Sequence, residues 1–207
     1  MRARSSHVVL AASFAFFALT LSSAHATAGA PTDQIKATVD KALVVLKDPR
    51  LKPAANIKEK RELLKQILFA RFDFTEMAKR ALGVNWRRRT PKEQEEFVRL
   101  FTEVLERAYA DTIESYTDEK IVYVGERLDD TYADVNSKVL TNKGEEFSIN
   151  YKARLVNGEW RVYDVIVENI SMVNNFRSQF SRVIANSSYE ELVRRLREKA
   201  DRETQRN

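Results

Sequence analysis

At 207 residues the chain has room for one ordinary domain, and 35 basic residues against 30 acidic ones make it only mildly basic. Cysteine is absent, and the two histidines, His7 and His25, both lie near the N-terminus, so disulfide staples, thiol nucleophiles and lipidated cysteines are excluded. Acids and bases are interleaved along the chain instead of gathered on one face or arm, which sets nucleic-acid binding aside.

The first segment is basic (Arg2, Arg4), then apolar from Val8 to Leu21, and ends in Ala24-His25-Ala26, the small-x-small pattern that signal peptidase accepts. The apolar run is shorter than the about 20 residues a membrane-crossing helix needs, and no basic stop-transfer flank follows it. Residues 1–26 are expected to be a Sec-type signal cleaved after Ala26. Residues 27–207 are then a single soluble periplasmic domain without a membrane anchor. Cleavage would remove both histidines and, with Arg2 and Arg4, lower the formal net charge of +5 by two. Serine and cysteine triads, histidine bases and the common zinc sites lose their essential residues together, so no catalytic or metal residue of those kinds is expected.

Beyond the leader, Ile35, Val39, Leu43 and Leu46 recur at helical spacing from Pro31 to Leu46, and Asp48-Pro49 stops the run. A second helix is predicted from about Ile57 to Phe69. A short third, Thr75 to Leu82, ends at Gly83, a residue suited to the left-handed position past a helix terminus. Thr90-Pro91-Lys92-Glu93 reads as a capping box with proline at the first helical position. Phe97, Leu100, Phe101, Val104, Leu105, Ala108, Tyr109 and Ile113 then trace one apolar face of a fourth helix.

After Asp118 the period switches to alternation. Four strands are predicted, at about Ile121 to Glu126, Tyr132 to Leu140, Glu146 to Val156 and Trp160 to Val167, with Asn142-Lys143-Gly144 and Asn157-Gly158 as hairpin turns. In the third strand Phe147, Ile149, Tyr151, Ala153 and Leu155 alternate with polar residues, which gives an antiparallel sheet one apolar and one wet face. The fourth strand is apolar on both parities, as a doubly covered strand would be. A fifth helix follows from about Val173 to Ile184, and Ser188-Tyr189-Glu190-Glu191 caps a charged sixth. Helices, an antiparallel meander, then helices again make an α+β fold, a twisted sheet of about four strands wrapped by N- and C-terminal helices.

Gly83, Gly125, Gly144 and Gly158 stand singly at turns and element ends, so no glycine-rich phosphate cradle is present. Carboxylate chemistry is what remains. Asp164, mid-strand beside Tyr163 and with Tyr151 on the neighbouring strand, could serve a small isomerase or dehydratase as its base. The competing expectation, for Asp164 and Glu168 alike, is a structural hydrogen bond or ion pair. Arg87-Arg88-Arg89 reads as a solvated loop or as a contact with anionic headgroups. Arg194, Arg195, Arg197, Lys199 and Arg202 read as a solvated helix face or a partner-docking face.

Two blocks carry a family resemblance: FDFTEMAKRALGVNWRRRTPKEQEEFVRLFTEVLERAYADTI from Phe72 to Ile113, and WRVYDVIVENISMVNNFRSQF from Trp160 to Phe180. Both resemble the MlaC family of periplasmic phospholipid carriers, also called the toluene-tolerance family. The resemblance implies an apolar cavity between sheet and helices, with a phospholipid as cargo and no cofactor. It also implies shuttling between the outer and inner membranes as part of a lipid-asymmetry system. The implied partners are an outer-membrane MlaA–porin complex and an inner-membrane ABC transporter with its MlaD component. The residues expected at the tails are Phe97, Phe101, Leu105 and Tyr109 on the fourth helix, Phe147, Ile149 and Tyr151 on the third strand, Val165 on the fourth, and Ile170, Val173 and Phe176 at the following junction. A packed core has the same hydrophobic pattern, so ordinary burial is the alternative for each, and a carrier of another apolar ligand, such as a quinone, is a further one. Family members often have glycine where this chain has Asn169, which tolerates the same left-handed backbone.

Overall fold

The structure, a computed structural model, describes residues 30–114 and 119–204, and the expected export signal lies outside them. Helices α1 (Pro31–Lys47), α2 (Ile57–Phe69), α3 (Phe74–Leu82) and α4 (Pro91–Glu114) precede the sheet, and α5 (Met172–Asn186) and α6 (Tyr189–Thr204) follow it. Strands β1 (Lys120–Asp129), β2 (Tyr132–Leu140), β3 (Glu146–Val156), β4 (Glu159–Val167) and β5 (Ile170–Ser171) form one antiparallel sheet in sequential order. The α+β expectation is met, with a fifth, two-residue strand in addition to the four predicted.

Local chemistry accounts for most boundaries. The Thr90 amide donates to the Glu93 carboxylate at 2.7 Å while the Glu93 amide donates to Thr90 Oγ1 at 3.3 Å, so the capping box of α4 is formed. The Glu191 amide donates to Ser188 Oγ at 3.2 Å at the start of α6. Asp73, which the sequence pattern does not mark, caps α3 by accepting from the Glu76 amide at 2.9 Å. Gly83 closes α3 at φ +59°, but the chain then runs on as a 3-10 helix over Gly83–Arg88. The arginine run is therefore not a plain loop. Arg87 and Arg88 end that turn, and Arg89 lays its guanidinium 4.5 Å from the centroid of the Tyr189 ring.

Two left-handed residues make each of two tight turns. Asn157 and Gly158, at φ 52° and 83°, join β3 to β4, and Glu168 and Asn169, at φ 47° and 65°, join β4 to β5. Asn169 adopts the conformation expected of it. Glu168 is the less usual occupant, and its carboxylate accepts from Ser148 Oγ at 3.1 Å while its amide donates to the Ser148 carbonyl at 3.1 Å. These bonds offset part of the roughly 1 kcal/mol that a left-handed non-glycine residue costs.

β4 is covered on its outer edge from both ends. Residues 71–73 pair with it, the Asp73 amide donating to the Val162 carbonyl at 2.8 Å and the Val162 amide to the Arg71 carbonyl at 2.8 Å, while β5 pairs with Ile166 and Val167. Arg71 also fixes α1 to the sheet: its guanidinium donates to Thr38 Oγ1 at 3.0 Å, Gln34 Oε1 at 2.9 Å and the Trp160 carbonyl at 2.8 Å. Burial pulls its pKa below the ordinary arginine value.

Tyr189 seats α6 on α4. It is buried, and its hydroxyl donates to the Glu93 carbonyl at 3.1 Å. Burial pushes its pKa up from the ordinary 10 to about 12, with the nearby Glu93 carboxylate adding to the effect. The folded state thus holds this proton more tightly than the unfolded chain, so the associated stability is intact below pH 10 and is lost as pH rises toward 12. Urea midpoints at pH 9, 10 and 11 should fall more steeply for the native protein than for Tyr189→Phe. Tyr109 and Tyr163, also raised by burial, leave the variant a residual slope.

Candidate functional site

The two faces of the sheet differ in character. Alternation along the strands and the cross-strand register put Ala133, Val135 and Val139 of β2 on one face with Phe147, Ile149, Tyr151 and Ala153 of β3 and Val162, Val165 and Val167 of β4. At one end this face is closed: Ile35 of α1 forms a buried cluster with Ala133, Val135, Ala153, Trp160 and Val162. Toward the other end Val139 of β2 stays buried, but over β3 and β4 the cover thins. Phe147, Ile149, Tyr151 and Val165 are only half-buried, Val167 is 40% exposed, and its cross-strand partner Ile170 is 65% exposed. The result is an apolar strip, partly open, running across the sheet to its β5 edge.

A second apolar cluster lies among the helices. Phe97 and Phe101 of α4 are fully buried, with their rings stacked at 5.9 Å, and Phe101 meets Phe176 and Phe180 of α5 edge-on at 5.1 and 5.6 Å. Leu105, Val173 and Phe176 belong to the same buried cluster, and Tyr109 packs against it half-buried. The eleven positions expected at the tails therefore fall into two sets. Phe97, Phe101, Leu105, Tyr109, Val173 and Phe176 lie in or against the helical cluster, whereas Phe147, Ile149, Tyr151, Val165 and Ile170 lie on the sheet face. The tight turn at Glu168-Asn169 divides Ile170 from its sequence neighbours: it folds Ile170 back beside Val167, and two residues later α5 turns Val173 and Phe176 toward α4.

The opposite face of the sheet borders a cleft of about 660 Å³. A bulge in β4 opposite Lys152 and Ala153 brings two consecutive side chains, Tyr163 and Asp164, to its wall, which strict alternation would have sent to opposite faces. Asp164 is buried. One carboxylate oxygen accepts from the Val173 amide at 3.0 Å and the other from Ser171 Oγ at 2.6 Å, and Ser171 Oγ in turn accepts from the Asn174 amide at 3.0 Å. The first turn of α5 is thus fastened to β4 through one aspartate, which is the structural role weighed against a catalytic one. Asp164→Asn keeps the shape but can turn only one acceptor oxygen toward two donors. It should lower unfolding free energy by about 1–3 kcal/mol, read as a shift in the denaturant midpoint.

Five cations line the cleft: Lys79 and Arg80 from α3, Arg87 from the 3-10 turn, Lys152 from β3 and Arg177 from α5. Arg87 alone was singled out from the sequence. The other four come from three separate elements, and only the adjacent Lys79 and Arg80 are neighbours in sequence. Arg80 is held in place, its guanidinium 4.1 Å from the Tyr163 ring centroid and its Nε donating to Glu76 at 2.8 Å. The charged C-terminal helix is largely self-paired, with Arg194 and Arg195 on Glu191 at 2.8 and 2.7 Å and Arg197 reaching Glu96 of α4.

A five-stranded antiparallel meander with α1 across one face and a helical layer beyond its β4 edge defines a fold class with solved members. The chain is 27% identical to a phospholipid-binding protein of Ralstonia solanacearum solved in complex with a phospholipid, with a TM-score of 0.75 over 84% of this chain and 99% of that one. It is also 28% identical to the toluene tolerance protein ttg2D of Pseudomonas putida over 73% of this chain and 71% of that one. A third relative is the intermembrane phospholipid transport system binding protein MlaC of Haemophilus influenzae, 22% identical over 58% of this chain and 59% of that protein. The description of the MlaC protein family matches residues 36–198, and the chain belongs to that family.

Proposed function

We propose that this protein is a periplasmic carrier of diacyl phospholipid, holding the acyl tails against the half-open apolar strip of the sheet and leaving the headgroup toward water. The observation that carries the reading is the likeness, along nearly the whole length of the other chain, to a protein solved with a phospholipid bound. The strip supplies a matching surface. Phe147, Ile149, Tyr151 and Val165 are apolar yet incompletely covered, and Val167 and Ile170 continue the row to an exposed rim.

The energetics favour sequestration over catalysis. A diacyl lipid has roughly 30 methylenes, so at about 0.8 kcal/mol each, exposing both tails to water costs on the order of 20–25 kcal/mol. Transfer from a bilayer to an apolar protein surface exchanges one hydrocarbon setting for another, so loading and unloading can both run near equilibrium. No covalent step is needed, and the Asp164 carboxylate, bonded to Ser171 and to the α5 backbone, is already committed to structure. We take the donor and acceptor to be those the family implies, the MlaA–porin complex and the MlaD-bearing ABC transporter, with the export signal delivering the chain to the compartment between them. Among the described residues no helix is long and apolar enough to cross a membrane.

The test is extraction of the purified protein with organic solvent followed by mass spectrometry. Co-purified phospholipids in near-stoichiometric amount, with mixed headgroups, are expected. A protein free of lipid after mild purification, or one carrying a quinone instead, overturns the reading.

A further inference from the structure

We propose that the cleft between α3, α5 and the far face of the sheet is a second binding site, for the phosphoryl group of a phosphate ester. It is set apart from the acyl strip: Lys152 and Asp164 at the cleft alternate along β3 and β4 with Tyr151 and Val165 on the strip, so the sheet stands between the two. The inference holds whether or not the strip carries acyl chains.

The charge of the cleft is not internally balanced. Its two carboxylates are already engaged: Glu76 with Lys79 at 3.2 Å and Arg80 at 2.8 Å, and Asp164 with Ser171 and the Val173 amide. Lys152 pairs with Asp134 at 2.7 Å. Arg87 and Arg177 have no carboxylate or hydrogen-bond partner among the described residues, yet both face this concavity. Two guanidiniums with donors to spare, backed by three further cations, are suited to an oxyanion that can accept several N–H bonds at once, which phosphate does in fork geometry.

Arg177 is also placed by its surroundings. A Cβ on Gly83 would stand 3.0 Å from Arg177 Nε, so the guanidinium lies close over the end of α3, where a side chain at Gly83 would push it aside by a few tenths of an ångström. The glycine at φ +59° ends the helix and leaves the cation room close against it. A cleft of about 660 Å³ is large for inorganic phosphate alone and fits an ester with an organic substituent. Tyr163, Trp86 and Val173 offer that substituent an apolar wall.

The full-length mature protein can be titrated with inorganic phosphate, and separately with dihexanoyl phosphatidylglycerol below its micelle concentration, while NMR follows the Gly83 and Asn174 amides and Arg177 Nε. Both probes are expected to shift these signals. In the double variant Arg87→Gln/Arg177→Gln the affinity should drop at least tenfold, and Arg87→Lys/Arg177→Lys should recover part of it. Both arginines are exposed, so circular dichroism should be unchanged, and phospholipid content is measured on the same samples by mass spectrometry. Tighter binding of the short-chain lipid than of phosphate assigns the site to a lipid headgroup, and equal or tighter binding of phosphate assigns it to a soluble phosphate; either supports a phosphoryl site. No shift with either probe, or an affinity unmoved in the double glutamine variant, overturns it. Because phospholipid content is read on the same samples, failure of the carrier reading would be seen separately.

Discussion

Phe101→Ala is expected to cost about 3–5 kcal/mol of folding stability, the range for removing a fully buried aromatic ring from a core that cannot collapse around the space. Phe101 has no exposed surface, and three other rings, those of Phe97, Phe176 and Phe180, lie within 5.1–5.9 Å of it, two of them edge-on. Such pairs contribute about 0.5–1.5 kcal/mol each beyond area burial. This variant also tells a packed core from a tail-lining wall. Bound lipid stabilises the folded state by mass action, so the denaturant midpoint should be read on delipidated protein, with lipid content measured on a parallel sample. A delipidated protein destabilised by less than about 1 kcal/mol, together with an emptied native preparation, would mean that the ring faces the tails and the helical cluster is part of the cavity.

Ile149→Glu should act in the opposite way. The residue is half-buried at mid-strand on the open part of the apolar strip, in register with Val167. Without lipid, the new carboxylate can turn to water, so the delipidated variant should fold and unfold within about 1 kcal/mol of the native protein. With lipid, the charge would be pressed into hydrocarbon at a cost of several kcal/mol, and each 1.4 kcal/mol is a factor of ten in affinity. Co-purified phospholipid should therefore fall at least tenfold, while Ile149→Leu retains it. A folded Ile149→Glu protein with a normal phospholipid load would place the tails elsewhere, and the helical cluster would be the next region to probe.

Helix and strand signals were legible wherever they are local. The bounds of α2, the capping box at Thr90, the cap at Ser188 and the Asn157-Gly158 turn all depend on residues within a few positions of one another, and the structure has them where the pattern puts them. β5 was missed because two residues have no period, and its turn uses a glutamate where glycine or asparagine would be the usual marker. The strand-like behaviour of residues 71–73 was missed as well, since its partner Val162 is far along the chain.

The candidate site divides along the same line. That Phe97, Phe101 and Val173 would be withdrawn from water follows from side-chain chemistry and spacing alone, as does the exclusion of cysteine chemistry. The sequence blocks at Phe72 to Ile113 and Trp160 to Phe180 were also enough to point to the family. Which apolar surface closes on itself and which stays partly open was decided by tertiary packing. The rings of α4 and α5 find one another in one buried cluster, while α1 is tied by Arg71 over one end of the sheet and leaves β3 and β4 only half-covered toward the other. The cationic cleft, drawn from α3, β3 and α5, is likewise assembled only by the fold, with the β4 bulge turning Tyr163 and Asp164 to its wall. Hydrophobic periodicity is a property of neighbouring residues, whereas a cavity is the space left where distant elements fail to meet, and only the folded chain determines where that happens.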